Sequence, residues 1–390
     1  MTTLSISAAH TAIDLPVSAK ARTKSRVVYL DKLKVALTVL VIAHHAGQAY
    51  GPTGGQWPIF SPERSALLGP FFSVNAAFFM GLFFLISGYF VPRAYDRKGA
   101  TTFLKDRFRR LGIPLLSFGL LVMGPILYFS QDEPGSFWQF VNHVYPNEIP
   151  TLFAHMWFVA HLLVYAIGYA LWRWLTQHRS VTGRSMLAVP THQTILTYVL
   201  VLTMVTAVVR IWYPIDRWAT LLVFPAEIAH LPQYASLFVI GMMAYRGDWL
   251  RRLPTATGMT WLWIGLTAAV GRYVYSLLGG WEWLPLILTN SGVFWSLWEA
   301  LICVGLCVGL LVLFREWDNG QTGKPLLLMA GAAYAAYIVH LLVVIGIQFG
   351  LDAVALTPFT KFVLVALLGT ILSFGIGHLA RQLPGAKKIL

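Results

Sequence analysis

The chain alternates between long apolar blocks and short polar segments. Each block comes close to or exceeds the ~20 residues that an α-helix needs to cross a bilayer. The pattern therefore predicts an all-α integral membrane protein, a bundle of about ten transmembrane helices. Pro225 and Pro232 interrupt the sixth block, where we expect a broken or re-entrant helix. The predicted spans are residues 33–50, 69–91, 112–130, 153–175, 193–212, 219–245, 258–278, 285–314, 325–349 and 360–383.

The positive charges give this bundle an orientation. If the N-terminal tail is cytoplasmic, 24 of the 29 Lys and Arg residues fall in the tails or in cytoplasmic loops. The positive-inside rule requires this distribution, and an odd number of spans would destroy it. We therefore expect both termini in the cytoplasm. The predicted organisation is a disordered basic tail over residues 1–28, a membrane domain over residues 29–384 and a short tail over residues 385–390.

Composition argues against other classes of protein. Hydrophobic residues make up 57% of the chain and charged residues 12%, which is about half the charged share of a soluble domain. The net charge of +13 could indicate nucleic acid, but the basic residues lie between apolar blocks and not on one folded face. We therefore expect membrane lipid and no nucleic acid as a partner. Since no metal-binding or dinucleotide-binding motif is present, we also expect no metal.

A histidine pair lies deep in the first predicted span. Ionisable side chains at bilayer depth are costly. Packing histidines are the alternative interpretation, but two adjacent histidines, His44 and His45, in an otherwise apolar span favour a function over packing, with packing kept open for His44. Lys34 precedes His45 by 11 residues. That is about three helical turns, so the two lie on one helix face, about 16 Å apart along the axis. His44 points about 100° away from that face.

The densest basic segment of the chain runs from Arg93 to Arg110, after the second span. Its simplest interpretation is a cytoplasmic loop that sets the topology. Arg107 and Arg110 are three residues apart on one helical face, however, and this spacing suits the bidentate binding of phosphates. From the residues alone, both interpretations stay open.

Further polar residues mark places where the membrane domain could bind a substrate. His155 and Trp157 open the fourth span near its predicted outer end, where Trp157 by itself would be an interfacial anchor. Glu227 and His230 lie in the broken sixth span, and His340 lies midway along the ninth. Each of the polar residues could instead form an interhelical hydrogen bond.

Five segments, taken in order, resemble motifs of the acyltransferase 3 family of bacterial membrane O-acyltransferases. The first span is similar to the family's Arg-x10-His motif, with His45 at the histidine position and Lys34 where arginine is usual. Lysine keeps the charge but lacks the planar fork of arginine. The other segments are Phe84–Phe90 (similar to Phe-Phe-x-Ile-Ser-Gly-Phe), Arg107–Pro114 (Arg-x-x-Arg-Leu-x-x-Pro), His155–Phe158 (His-x-Trp-Phe) and Tyr334–His340 (Tyr-x-x-Tyr-x-x-His). We expect no appended esterase domain.

The resemblance implies a multi-pass O-acyltransferase of the bacterial cytoplasmic membrane. Such an enzyme moves an acyl group, most often acetyl, from cytoplasmic acyl-CoA to a hydroxyl of a carbohydrate or other cell-surface acceptor. Arg107, Arg110 and Lys34 would bind the CoA phosphates or orient the CoA arm. His45, assisted by Lys34, would be the base or a transiently acylated nucleophile. The residues expected on the acceptor side are His155, Trp157, Glu227 and His340.

A proton-coupled transporter is one alternative interpretation, and a non-catalytic membrane scaffold is a second. In the transporter, intramembrane histidines and glutamates would form a relay across the membrane, with the broken sixth span as the substrate site. Inverted-repeat symmetry between the two halves of the chain would favour the transporter, and the sequence shows none. The relay residues would be His44, His45, Glu227, Glu299 and His340.

Overall fold

The computed structural model describes most of the predicted membrane domain. The described residues are 28–52, 57–129, 136–140, 142, 153–176, 187–215, 217–221, 224–279, 292–318, 320 and 323–390. The predicted tail over residues 1–28 lies outside this range except for Val28.

The described elements are nearly all helices, as the apolar blocks predict. Two π-helical turns, Phe108–Gly112 and Gly119–Met123, continue the helices around them, and 3-10 turns lie at Ala154–Met156, Ile228–His230 and Ala386–Lys388. In chain order the elements are α1 (Val28–Gly47), α2 (Leu68–Arg107), α3 (Ile113–Phe118), α4 (Gly124–Phe129), α5 (Phe137–Gln139), α6 (Trp157–Leu175), α7 (His192–Trp212), β1 (Trp218–Leu221), β2 (Phe224–Glu227), α8 (Leu231–Gly247), α9 (Trp249–Arg252), α10 (Thr255–Leu277), α11 (Gly292–Glu316), α12 (Lys324–Gly350) and α13 (Pro358–Ala380).

Six helical stretches of the described chain are long and apolar enough to cross a membrane, which makes this a multi-pass membrane protein. One of them, Leu68–Ile126, has 59 residues and contains the second predicted span and most of the third. A straight helix of that length would measure about 89 Å, nearly three times a ~30 Å hydrocarbon core. Gly99 interrupts it with φ 73° and ψ 167°. The count of ten spans and the cytoplasmic placement of both termini stay predictions.

The sixth predicted span, residues 219–245, is not one helix. Strands β1 and β2 form an antiparallel hairpin in which Trp218 pairs with Glu227, and α8 begins only at Leu231. Proline explains the break, because Pro225 lies within β2 and Pro232 lies in the first turn of α8, where its missing N–H costs no hydrogen bond. The eighth predicted span corresponds to α11, and its residues 285–291 lie outside the described range.

Helix α1 is enclosed by the rest of the bundle. It packs against α2, α11, α12 and α13, and Leu30, Ile42 and Ala46 on it are fully buried. The first predicted span is therefore an interior helix, and its polar residues face other helices.

Helices α2 and α8 approach so closely that each needs a glycine at the contact. A Cβ atom added to Gly88 would lie 2.1 Å from the carbonyl oxygen of Phe238, and one added to Gly241 would lie 2.1 Å from the carbonyl oxygen of Leu85. Small residues allow such backbone contacts where lipid gives no hydrophobic drive to helix association. The glycine of the Ile-Ser-Gly-Tyr segment therefore has a packing role.

Candidate functional site

Three histidines that are distant in the sequence meet inside the bundle. Nε2 of His340 lies 3.2 Å from Nδ1 of His45, and the centroids of these two rings are 4.9 Å apart. The ring of His155 lies on the other side of His340, with 4.7 Å between centroids. His340 is fully buried and His155 nearly so, whereas His45 keeps an exposed part. The cluster therefore has one partly exposed histidine, His45, and two buried ones.

One face of α12 organises this cluster. Tyr334, Tyr337 and His340 recur every three residues, so they form a stripe along the helix. The Tyr334 hydroxyl donates to the carbonyl oxygen of Arg110 over 2.7 Å, and the Tyr337 hydroxyl donates to the carbonyl oxygen of His155. From Tyr334 to His340 the helix rises about 9 Å. The stripe thus connects the basic segment at Arg110 with the histidine cluster.

Backbone carbonyls determine which ring nitrogens carry protons. A carbonyl oxygen can only accept a hydrogen bond. The Val41 carbonyl oxygen lies 2.9 Å from Nδ1 of His45, and the Tyr337 carbonyl oxygen lies 2.5 Å from Nδ1 of His340. Both Nδ1 atoms are therefore donors. In a neutral ring the other nitrogen is then an acceptor. Nε2 of His340 therefore accepts from the Nδ1–H of His45, which also donates to the Val41 carbonyl. Nε2 of His45 is left as the nitrogen with a free lone pair, and no hydrogen bond occupies it among the described residues.

His155 is fixed by the same helix. Its Nε2 lies 3.0 Å from the carbonyl oxygen of Tyr337 and 3.1 Å from that of Ile338, so Nε2 is the donor. Its Nδ1 is buried and has no hydrogen-bond partner among the described residues. The preceding residue, Ala154, has φ 40°, a conformation that costs a residue with a side chain about 1–2 kcal/mol. The backbone is therefore locally strained at Ala154, directly before His155.

Two residues that the sequence did not single out complete the surroundings of His45. The Trp57 indole stacks on the His45 ring at 5.8 Å between centroids, and its Nε1 donates to Oε1 of Gln348 over 2.8 Å. Nε2 of the fully buried Gln348 donates to the carbonyl oxygen of Ala46 over 3.1 Å. A glutamine in an apolar helix was the available signal for Gln348, whereas Trp57 lies in a loop without one.

The neighbouring His44 has different surroundings. Its ring packs edge-on against Phe72 at 5.2 Å and lies 5.1 Å from the Phe79 ring. The helical phase predicted this divergence from His45. His44 therefore sits in an aromatic packing position.

Lys34 and the two arginines lie away from the histidines. The Lys34 ammonium pairs with Asp31 at 2.7 Å and lies 5.4 Å from the Phe90 ring centroid. Helix α1 is unbroken between Lys34 and His45, so about 16 Å along the axis separates the two residues.

Arg107 and Arg110 flank the start of the first π-helical turn. The Arg107 guanidinium covers the Phe103 ring at 5.1 Å, and Arg110 is exposed. Such turns inside α-helices frequently occur at functional sites. Arg107 and Arg110 therefore stand at one end of the α12 stripe, with the histidine cluster at the other.

Trp157 and Glu227 lie beside the β-hairpin. The Trp157 ring stacks on Tyr234 at 5.5 Å and meets the Trp218 ring edge-on at 5.7 Å. Trp218 and Glu227 are directly opposed in the hairpin, so their side chains project from the same face. This part of the molecule combines exposed aromatic surface with a carboxylate.

A buried chain of charges supports Glu227. Nδ1 of His230 lies 2.8 Å from Glu227, and its Nε2 lies 2.6 Å from Glu299. The second Glu299 oxygen lies 2.6 Å from the Arg210 guanidinium. The chain joins α7, α11 and the hairpin. The sequence gave no sign that Arg210 pairs with Glu299.

The acyltransferase 3 family, described as an acyltransferase domain, matches residues 27–378. The chain belongs to the acyltransferase 3 family. It is also similar to glucans biosynthesis protein C of Escherichia coli strains SMS-3-5 and K12, with 29% identity over 140 residues. That match covers 35% of this chain and 36% of each relative, so the chain spans about a third of their length. No solved structure matches.

The protein is therefore a multi-pass membrane member of the acyltransferase 3 family. In it, segments that resemble separate family motifs meet in space: the Tyr-x-x-Tyr-x-x-His stripe contacts both His45 and His155 and reaches the Arg-x-x-Arg segment. No group of His, Cys, Asp and Glu side chains suited to hold a metal occurs in the part of the chain that the structure describes.

Proposed function

We propose that this acyltransferase moves an acyl group, acetyl in the first instance, from acyl-CoA to a hydroxyl of a carbohydrate or other cell-surface acceptor. The membrane concerned would be the bacterial cytoplasmic membrane. The observation that carries the proposal is the partly exposed His45, held by Val41 and His340 so that Nε2 is free to take a proton.

The donor is proposed to bind at the basic end of the α12 stripe. CoA carries phosphates that arginine forks bind well. Arg110, whose carbonyl accepts from the Tyr334 hydroxyl, lies three residues after Arg107. Lys34, which lies about 16 Å before His45 along the axis of α1, is proposed to orient the CoA arm. The pantetheine arm would then extend towards His45 along the stripe, which rises about 9 Å from Tyr334 to His340.

The acceptor is proposed to enter beside the hairpin. Trp157 offers an aromatic face on which a sugar ring can stack, and Glu227 offers a carboxylate that accepts hydrogen bonds from sugar hydroxyls. His155, which precedes Trp157 by two residues, belongs to both this region and the histidine cluster. His340 was expected to touch the acceptor too, but its full burial favours a role behind His45.

The proposed reaction transfers the acyl group from the sulfur of CoA to the oxygen of the acceptor hydroxyl. Nε2 of His45 takes the proton of the acceptor hydroxyl, the oxygen attacks the thioester carbon, and the C–O bond forms as the C–S bond breaks. His45 then returns the proton to the CoA thiolate. In the second form of the proposal, Nε2 attacks the thioester carbon first, the C–S bond breaks and CoA leaves as its thiolate. The acceptor hydroxyl then attacks the acyl-imidazole, the C–N bond breaks, and the hydroxyl proton ends on the CoA thiolate.

The test compares adjacent histidines. Bacterial cells produce wild-type, His45→Gln or His44→Gln protein at equal levels, and mass spectrometry compares their surface glycans and small molecules with those of cells lacking the protein. We expect an acylated product with the wild-type and His44→Gln proteins and none with His45→Gln. Equal product with His45→Gln would overturn the proposal.

Isotope exchange separates the two forms of the mechanism. An acyl-imidazole intermediate allows the purified enzyme to exchange labelled CoA into acyl-CoA without an acceptor, whereas a pure base mechanism does not. Exchange that disappears in His45→Gln supports the nucleophile. Absence of exchange in an enzyme that is active in cells supports the base.

A further inference from the structure

His340 is the most buried ionisable residue near His45. It has no exposed surface, and every polar atom of its ring is used within the cluster: Nδ1 by the Tyr337 carbonyl and Nε2 by His45. A substrate therefore cannot reach this ring without moving His45 or α12. Burial of an unpaired imidazole would cost hydrogen-bonding energy, so the two contacts also explain why the ring is tolerated there.

The hydrogen bonds behind His45 run in one direction, from His45 to His340 and from His340 to the Tyr337 carbonyl. The Tyr337 carbonyl accepts from Nδ1 of His340, and Nε2 of His340 accepts from Nδ1 of His45. Nε2 of His45 then faces away from the pair. In serine hydrolases, a buried acceptor behind the catalytic histidine holds one tautomer and stabilises the imidazolium that forms. Here a neutral histidine occupies the place of the carboxylate.

We propose that His340 is a positioning residue that, together with the Val41 carbonyl, holds His45 in its Nδ1-protonated form, and that its hydrogen bond to His45 becomes stronger when Nε2 of His45 takes up a proton. The inference rests on the proposed role of His45. As the acceptor proton moves to Nε2, His45 becomes a cation, and its Nδ1–H···Nε2 bond to His340 becomes a charge-assisted bond. The proton itself stays on His45 until the thiolate leaves, so His340 neither gains nor loses one.

Tyr337 is the second positioning residue of this arrangement. Its carbonyl fixes Nδ1 of His340 as a donor, which is what makes Nε2 of His340 an acceptor. The same carbonyl receives Nε2 of His155 at 3.0 Å. One peptide group on α12 therefore orients two histidines, and the Tyr337 hydroxyl fixes the backbone of His155 in return.

Two substitutions at His340 separate positioning from packing. His340→Gln keeps an oxygen that can accept from His45, whereas His340→Leu fills similar space and cannot accept. We expect His340→Leu to lower kcat about 100-fold, within the range for impaired general acid–base catalysis. The KM for acetyl-CoA should change less than about twofold, and His340→Gln should recover most of kcat.

The variants are assayed as purified full-length protein with the acceptor identified from cells. Equal losses in His340→Leu and His340→Gln, or no loss in either, overturn the role of His340 when His45→Gln is inactive. Full activity of His45→Gln overturns the proposed function instead, so the two failures are distinguishable.

Nitrogen-15 NMR of histidine-labelled wild-type protein tests the tautomer without any change at His340. The His45 signal is assigned by its loss in His45→Gln. A non-protonated Nε2 supports the inference, and a non-protonated Nδ1 contradicts it. Because the Val41 carbonyl favours the same tautomer, the contradicting result is the decisive one, and it is available even if His340→Leu does not fold.

Discussion

Glu299 is the centre of the buried charge chain, and Glu299→Gln is the perturbation that tests its energetic role. One carboxylate oxygen lies 2.6 Å from Arg210 and the other lies 2.6 Å from His230. The Glu299 side chain is 15% exposed, and those of Arg210 and His230 are 8% and 4% exposed. Glutamine keeps the size and one accepting oxygen, but it leaves the buried guanidinium without its counter-charge.

The expected magnitude follows from these contacts. Removal of one partner from a buried ion pair costs about 3–5 kcal/mol, because the remaining charge stays buried and uncompensated. The amide oxygen of glutamine retains one hydrogen bond, and Glu227 still faces His230 at 2.8 Å. We therefore expect the free energy of unfolding to fall by about 3 kcal/mol, at the lower end of that range.

The assay is thermal unfolding of the purified protein in detergent, followed by tryptophan fluorescence at one fixed scan rate because unfolding can be irreversible. Glu316→Gln on the same helix is the matched control. Its carboxylate is 44% exposed and pairs with Arg315 at the surface, where ion pairs contribute little. The expected result is a clear drop in Tm for Glu299→Gln and almost none for Glu316→Gln. Equal Tm values for the two variants would refute the reasoning.

Three further predictions concern packing and the donor side. Gly88→Ala brings Cβ against the Phe238 carbonyl, so α2 and α8 must separate, and we expect a loss of about 1–3 kcal/mol in thermal unfolding. Gly168→Ala in α6, where an added Cβ meets nothing within 4 Å, should cost nothing. Arg107→Ala and Arg110→Ala should each raise the KM for acetyl-CoA about tenfold in the transfer assay, the effect of losing ~1.4 kcal/mol of phosphate binding; an unchanged KM would leave the segment as a topology signal. Lys34→Arg should retain activity and Lys34→Gln should lose it, and equal activities would exclude a role for the charge.

Much of the helical architecture and part of the candidate site could be predicted from the sequence. Apolar block length identifies membrane helices because the bilayer sets their length. Helical phase and motif register together separated His45 from His44, and the structure places them in a polar cluster and an aromatic packing site, respectively. Both results depend on local helix geometry, which follows from the spacing of residues along the chain.

The tertiary contacts of the site could not be predicted in the same way. The pairing of His45 with His340 joins residues 295 positions apart, and the pairing of Arg210 with Glu299 joins residues 89 positions apart. Hydrophobic periodicity carries no information about which helices become neighbours. The hairpin was missed for another reason: its strands are short, and apolar blocks with two prolines fit a broken helix equally well.

The role of His45 in moving an acyl group from acyl-CoA is the central claim, and label transfer tests it most directly. Inside-out membrane vesicles that contain the protein receive acetyl-CoA carrying carbon-13 in its acetyl group, and mass spectrometry follows the label into the acceptor. The account predicts labelled acceptor with wild-type protein and none with His45→Gln. Equal labelling with His45→Gln, or unlabelled product from the wild-type vesicles, would contradict it.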